Sequence, residues 1–221
     1  MGKIREDLET IKKRDPACRN SLEVIFLYSG FHAMFFYRIA NKLYKGHFFF
    51  IARFISQFAR WITGIEIHPG ATIGRGLFID HGSGVVIGET AEIGDYCTLY
   101  QGVTLGGTGI VDGKRHPTLG DDVLVGAGAK VLGPFKVGDH AKIAAGAVVL
   151  GEVPPYATAV GVPAQIICGF INAPDGTMQG NEDVDQINIQ DPIMLELCRL
   201  EEQLEKLNAK VKNLENKAPK V

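Results

Sequence analysis

The sequence predicts a mainly β fold, a left-handed parallel β-helix of hexapeptide repeats with a helical region before it and a helical, coiled-coil extension after it. Three observations carry that expectation. Twenty-two of the 27 glycines fall between Gly64 and Gly169. Within the same stretch Leu119, Val125, Val131, Val137, Ile143 and Val149 recur every six residues without a slip. After it, Ile193, Leu197, Leu200, Leu204, Leu207, Val211 and Leu214 alternate in steps of four and three.

The N-terminal region comes first. Residues 3–14 and Ser21 to Ile62 read as helical, with Asp15-Pro16 separating them and Gly46 breaking the second. Phe35, Phe36, Tyr37, Ile39, Leu43, Phe48, Phe49, Phe50, Ile51, Phe54 and Ile55 are more apolar side chains than one thin helical layer hides. This region is therefore expected to pack on the β-helix or on other chains.

The lattice follows. Upstream of Leu119, Ile67, Ile73 and Ile79 keep the six-residue step, and Ile87, Ile93, Leu99 and Leu105 resume it after a two-residue shift of phase. A two- or three-residue strand is not stable alone, but stacked copies are. If three hexads form one triangular coil, each aliphatic points inward and meets its copy one coil away. About thirteen hexads give four to five coils, roughly 20 Å of prism at a ~4.8 Å strand spacing. An ordinary β-sandwich does not keep an integer period. One interval breaks the lattice: fourteen residues separate Leu105 from Leu119, so residues 106–117 are expected to loop out and to carry function. The domains expected are thus 1–63, 64–171 and 172–221, the last a polar linker followed by a three-heptad seam.

Composition bounds the function. The 27 glycines in 221 residues exceed the ~7% of an average chain, yet 46% of the residues are hydrophobic and 22% charged, which excludes a disordered linker. Glycine at every third position, as in collagen, is absent. A net charge of −2 argues against a nucleic-acid binder that neutralises phosphates. Cys18, Cys97, Cys168 and Cys198 are too scattered for a disulfide framework or a CxxC zinc site. Val24 to Tyr37, an uncharged run in the aromatic-rich part, is shorter than the ~20 residues that span a bilayer. A soluble cytoplasmic protein is the expectation.

Two groups of residues can carry chemistry. His81 lies in IDHGSG, with Asp80 before it, and Glu66 lies fifteen residues upstream, near the same corner one coil below. A carboxylate there can hold an imidazole in one tautomer and stabilise its protonated form, as a general base requires. His116 follows Arg115 in the looped-out KRHP. A guanidinium beside a ring donor suits a substrate carboxylate or a developing oxyanion.

The runs RDPA (Arg14 to Ala17), GFHAM with YRIA, TGIEIHPGATIGRGLFIDHGSGVVIGETAEIGD (Thr63 to Asp95), QGVTLGGTG, KRHP, GAGAKVLG and AVGVPA resemble those of serine O-acetyltransferases over residues 10–168. The combination of IDHG, VTLGGTG and RHP is specific, whereas hexapeptide repeats alone indicate only a broad acyltransferase superfamily. The resemblance implies acetyl transfer from acetyl-CoA to the hydroxyl of L-serine, giving O-acetyl-L-serine for cysteine synthesis. It gives His81 the general-base role and makes Glu66 its partner carboxylate. It places Asp15 and Asp80 at the amino and hydroxyl end of serine, and Arg115 and His116 at its carboxylate. For acetyl-CoA it points to a groove near Gly107, Ala127 and Ala145, with Lys142 for a phosphate.

The resemblance also implies a homotrimer with sites between subunits, a hexamer being possible, no metal, and inhibition by cysteine. Many members end in a tail with a terminal Ile that enters O-acetylserine sulfhydrylase; here the last residue is Val221, so that partnership is not expected. Three rival readings are weighed against this one. An acetyltransferase for a sugar or another hydroxyl acceptor would not call for Arg115 beside His116 together with Asp15 and Asp80. A γ-carbonic-anhydrase-like prism needs a third histidine at a neighbouring corner. A structural scaffold held by the coiled coil would have no use for His81.

Overall fold

The computed structural model describes residues 2–109 and 112–168. The chain divides into two compact units, Met1–Gln186 and Ile187–Val221. The second unit, and with it the expected coiled-coil seam, lies outside the described residues.

Four helices open the chain: α1 Gly2–Arg14, α2 Ser21–Leu27, α3 Ser29–Lys45 and α4 Phe49–Thr63. Asn20 caps α2 by accepting the Glu23 amide at 3.0 Å. The sequence places one break in residues 21–62, at Gly46; the structure has a second at Tyr28, whose extended backbone (φ −89°, ψ 109°) serves as both the C-cap of α2 and the N-cap of α3. No proline marks it, and the nearest glycine, Gly30, lies within α3. Gly64, in the left-handed region at φ 72°, ends α4 as a C-cap glycine does.

Among the described residues fifteen short strands follow, in three sheets, and all but the last wind into a parallel β-helix. The first sheet has the order β1-β4-β7-β10-β13, from Glu66–Ile67 through Val86–Ile87, Thr104–Gly106 and Lys130–Leu132 to Val148–Val149. The second contains β2 Thr72–Ile73, β5 Glu92–Ile93, β8 Thr118–Leu119 and β11 Lys136–Val137. The third runs from β3 Phe78–Ile79 through β6 Thr98–Leu99, β9 Leu124–Val125 and β12 Lys142–Ile143 to β14 Ala157–Val160 and β15 Gln165–Cys168. The aliphatic lattice is the core. Leu99, Leu105, Val125, Val131, Val137 and Ile143 are fully buried, and the register stacks Ile67 on Ile87, Ile87 on Leu105 and Leu105 on Val131.

A β-helix leaves unpaired backbone groups at its first coil, an edge that must be covered. Here side-chain donors from the helices cover it. Ser56 Oγ donates to the Ile67 carbonyl at 2.7 Å, Tyr37 OH to that of Ala71 at 2.7 Å, and Asn41 Nδ2 to those of Pro69 and Ala71 at 2.7 and 3.2 Å. At the other end β15 turns back antiparallel to β14. Helix α4 meets β1 with its small face, burying Ala52, Ser56, Ala59 and Thr63. Its large side chains face away: Phe50 is 84% and Trp61 81% exposed, with Phe54 and Phe58 also exposed. No helix among the described residues is long and apolar enough to cross a membrane.

Candidate active site

Polar side chains gather at two different edges of the prism. At the edge where the third sheet passes into the first, the lattice carries its two-residue excess, between Ile79 and Ile87. The excess forms a turn with His81 at φ 56°, Gly82 at φ 77° and Gly84 at φ 75°. A Cβ on Gly82 would lie 2.5 Å from Ile65 Cδ1, so this turn needs glycine both for its conformation and for its close approach to the core. The left-handed backbone of His81 is costly for a residue with a Cβ. Its ring is 76% exposed, with Nε2 3.9 Å from Asp80 Oδ1. The first turn of α3 holds this corner from outside: Ser29 Oγ donates to the His81 carbonyl at 3.1 Å, and Gly30 lies against the Ile79 backbone.

Asp15, just beyond α1, is tied toward the same corner through Tyr28, the residue before Ser29. Arg14 donates to Thr98 Oγ1 on β6 and to Asp122. Asp15 Oδ1 accepts the Ala17 amide at 2.7 Å and Oδ2 accepts the Tyr28 hydroxyl. Burial, and then the Asp15 carboxylate, push the Tyr28 phenol far above its usual range. The Tyr100 phenol is likewise raised, by burial first and by the Asp80 charge second.

The second cluster sits at the edge where the first sheet passes into the second. The chain makes an ordinary turn there at Gly88–Thr90 and its long excursion between β7 and β8 one coil later. The end of the excursion is bound back onto the turn. Thr90 Oγ1 accepts the amides of Arg115 and His116 at 3.0 and 3.1 Å, and Lys114 Nζ donates to the Thr90 carbonyl at 2.8 Å. Arg115 pairs with Glu89 Oε2, whose other oxygen accepts the Tyr44 hydroxyl at 2.8 Å. Those two bonds, Tyr44 first and Arg115 second, hold the Glu89 carboxyl below its usual range. His116 is only 8% exposed. Burial, and then the Arg115 and Lys114 charges, lower its pKa, so the ring stays neutral around pH 7.

The sequence expectation that Glu66 partners His81 is not met within one chain. Ile67 takes the inward position of β1, so Glu66 projects outward beneath α4. There Arg60 Nη1 lies 2.9 Å and Arg53 Nη2 3.9 Å from its carboxylate. The carboxylate His81 faces is its neighbour Asp80. Nor does one chain join the two ends of the expected serine site: Asp15, Asp80 and His81 stand at one edge, Arg115 and His116 at another.

The residues expected for acetyl-CoA divide likewise. Ala127 and Ala145 lie on the His81 edge in later coils, stacked by the bonds Gly102 N to Ser83 O, Gly128 N to Gln101 O and Gly146 N to Ala127 O, each 2.8 Å. Lys142 precedes that edge on β12. Gly107 opens the excursion, where an added Cβ would lie 3.1 Å from the Arg115 carbonyl oxygen. Sequence reasoning missed Tyr44, Glu89 and Thr90. The GET triplet after Val86-Ile87 was visible, but only the stacking of turn on excursion gives it meaning. Among the described residues no group of three His, Cys, Asp or Glu side chains could hold a metal ion.

Comparison with known proteins identifies the family. Residues 1–35 match the model described as serine acetyltransferase, N-terminal, and residues 116–151 the bacterial transferase hexapeptide. A serine acetyltransferase of Helicobacter pylori is 65% identical over 167 residues, 76% of this chain and 98% of the relative. That of Bacillus pumilus is 50% identical over 214 residues, 97% and 96% of the two chains. This chain belongs to the serine acetyltransferase family. Its fold is accordingly the left-handed parallel β-helix of solved serine acetyltransferases. The soybean enzyme complexed with serine superposes with a TM-score of 0.73 at 44% identity, over 75% of this chain and 68% of that one. The Neisseria gonorrhoeae enzyme in complex with serine gives 0.71 at 43%, over 74% and 67%.

Proposed function

We propose that this protein transfers the acetyl group of acetyl-CoA to the hydroxyl of L-serine, forming O-acetyl-L-serine and free CoA for cysteine biosynthesis. The observation that carries this reading is the chemical pairing of its two clusters. One offers carboxylates and an exposed imidazole, Asp15, Asp80 and His81; the other offers a guanidinium and a ring donor, Arg115 and His116. Together they match a zwitterionic amino acid with a hydroxyl, and nothing about a sugar calls for both.

His81 acts as general base. Its imidazole takes the seryl hydroxyl proton as the oxygen attacks the thioester carbonyl, and returns that proton to the departing CoA thiolate when the tetrahedral intermediate collapses. Asp80, 3.9 Å away, stabilises the transient imidazolium. Glu66, the partner carboxylate implied by family resemblance, is paired with Arg60 and lies near Arg53 in this structure. Asp15 and Asp80 receive the serine ammonium, and Arg115 and His116 its carboxylate. Gly107, Ala127 and Ala145 line the path of the pantetheine arm, and Lys142 lies near a phosphate.

Because the two clusters stand on different edges, a complete site forms where the His81 edge of one copy meets the Arg115 edge of the next. A closed ring of three such contacts is a homotrimer. The exposed aromatic face of α4 is a further apolar surface suited to association between copies. The test is CoA release with L-serine, compared with a panel of sugars, beside a native mass measurement. Serine-dependent release from a trimer is expected; release with a sugar alone, or full activity from a monomer, would overturn the reading.

A further inference from the structure

Thr90 makes more contacts with the Arg115–His116 pair than any other residue described, and their directions can be assigned. A threonine hydroxyl has one proton and two acceptor lone pairs. Both lone pairs of Thr90 Oγ1 are used, by the Arg115 and His116 amides at 3.0 and 3.1 Å. Its proton is therefore available to a third neighbour, and His116 Nδ1 stands 2.9 Å away. The Thr90 amide points at the same nitrogen, at 3.2 Å. A ring nitrogen that receives two donors carries no proton of its own, so the ring proton is on Nε2.

We propose that Thr90 is a positioning residue for the substrate carboxylate: its hydroxyl and amide lock His116 in the neutral Nε2–H tautomer and so make the ring a fixed hydrogen-bond donor. The inference rests on the reading that Arg115 and His116 receive that carboxylate. Nε2 has no hydrogen-bond partner among the described residues, which leaves its proton for a ligand. Arg115 beside it supplies the charge. A neutral donor adds direction to that charge without bringing a second cation to the site. His81 and His116 thereby take opposite parts: one is exposed and free to accept a proton, the other is fixed with its proton outward.

The experiment uses the full-length protein labelled with ¹⁵N-histidine. In the unsubstituted protein the His116 signals, assigned by their loss in His116→Ala, are expected to show an unprotonated Nδ1 and a protonated Nε2 near neutral pH. Thr90→Val, which keeps the shape and removes the hydroxyl, should shift them toward a tautomer mixture. It should also raise the KM for serine about tenfold, the scale of one hydrogen bond to a charged group, with kcat changed much less. Thr90→Ser should restore both. Should Thr90→Val disturb the loop itself, His116→Gln decides: its amide N–H stands where Nε2–H stood and cannot ionise, so it should keep most of the serine affinity that His116→Ala loses. A protonated Nδ1 in the unsubstituted protein, or His116→Gln as poor as His116→Ala, overturns the proposal. The tautomer is read without substrate, so failure of the serine reading, seen as absent serine-dependent CoA release, is a separate result.

Discussion

Gly88→Ala is the sharpest steric test of the Arg115–His116 platform. Gly88 is not in the left-handed region, so alanine costs nothing in backbone conformation. The difficulty is space: an added Cβ would stand 1.9 Å from His116 Cδ2 and 2.0 Å from Nε2. Ordinary carbon contacts are about 3.5–4.0 Å, so the ring must withdraw by roughly 1.5–2 Å. A shift of that size stretches the 2.9 and 3.2 Å bonds from Thr90 to Nδ1 beyond hydrogen-bonding distance. Loss of two such bonds, each about 0.5–1.5 kcal/mol, together with overpacking at about 1–3 kcal/mol, should lower the unfolding midpoint. It should also cut serine kcat/KM by tenfold or more. CoA release at varied serine, thermal unfolding and the His116 ¹⁵N signals are the measurements. Unaltered serine kcat/KM together with an unaltered tautomer would refute the packing of His116 on Gly88.

Other substitutions separate the remaining roles. His81→Ala should depress kcat by several orders of magnitude with little change in the KM for serine, as loss of a base does; Arg115→Ala should chiefly raise that KM. Asp80→Asn and Glu66→Gln, compared by kcat, decide which carboxylate serves His81: a larger loss in Asp80→Asn supports the contact at 3.9 Å, a larger loss in Glu66→Gln supports the family-derived pairing. Stability should fall with acid in two stages. His116 and His68 have folded pKa values below the ordinary histidine value, mainly through burial, so the unfolded chain binds more protons and stability declines as pH drops below ~6.5. Glu89, depressed by Tyr44 and Arg115, contributes stability that is fully present above ~4.3 and lost as pH falls through its lowered value. An unfolding midpoint flat from neutral to pH ~4 would contradict the histidine shifts, and one that stays flat on further acidification the Glu89 shift.

The coils were legible because burial and period coincide: every sixth residue from Leu119 to Val149 is an inward aliphatic, and the register repeats it coil after coil. His81, Arg115 and His116 were legible because they sit where that period fails. What surrounds them was not. Thr90 occupies an outward turn position like many others, and its link to His116 appears only once the excursion folds back across 26 residues. The surroundings of Glu66 were hidden for a related reason. It lies 15 residues from His81 whereas its register partner is Val86, 20 residues on, and sequence gives no sign that Arg53 and Arg60 of α4 would lie against its carboxylate. The break at Tyr28 escaped because an extended residue between two helices needs neither Gly nor Pro when Asn20 already caps the first and α3 packs on β3.

The coil lengths explain why the site lies at these two edges. Eighteen residues separate the register partners Val86 and Thr104, and again Lys130 and Val148. Twenty separate Glu66 from Val86, and 26 separate Thr104 from Lys130. In an 18-residue coil the three short strands are joined by tight turns, and no segment is long enough to leave the prism. The two surplus residues of the first long coil make the left-handed turn that exposes His81. The eight of the second carry Arg115 and His116 out and let them be fastened to Gly88–Thr90. A deletion that restores 18 residues at either place should therefore leave the β-helix folded and abolish transfer to serine. An active 18-residue variant at the His81 turn would mean that the lattice surplus has no part in presenting the base.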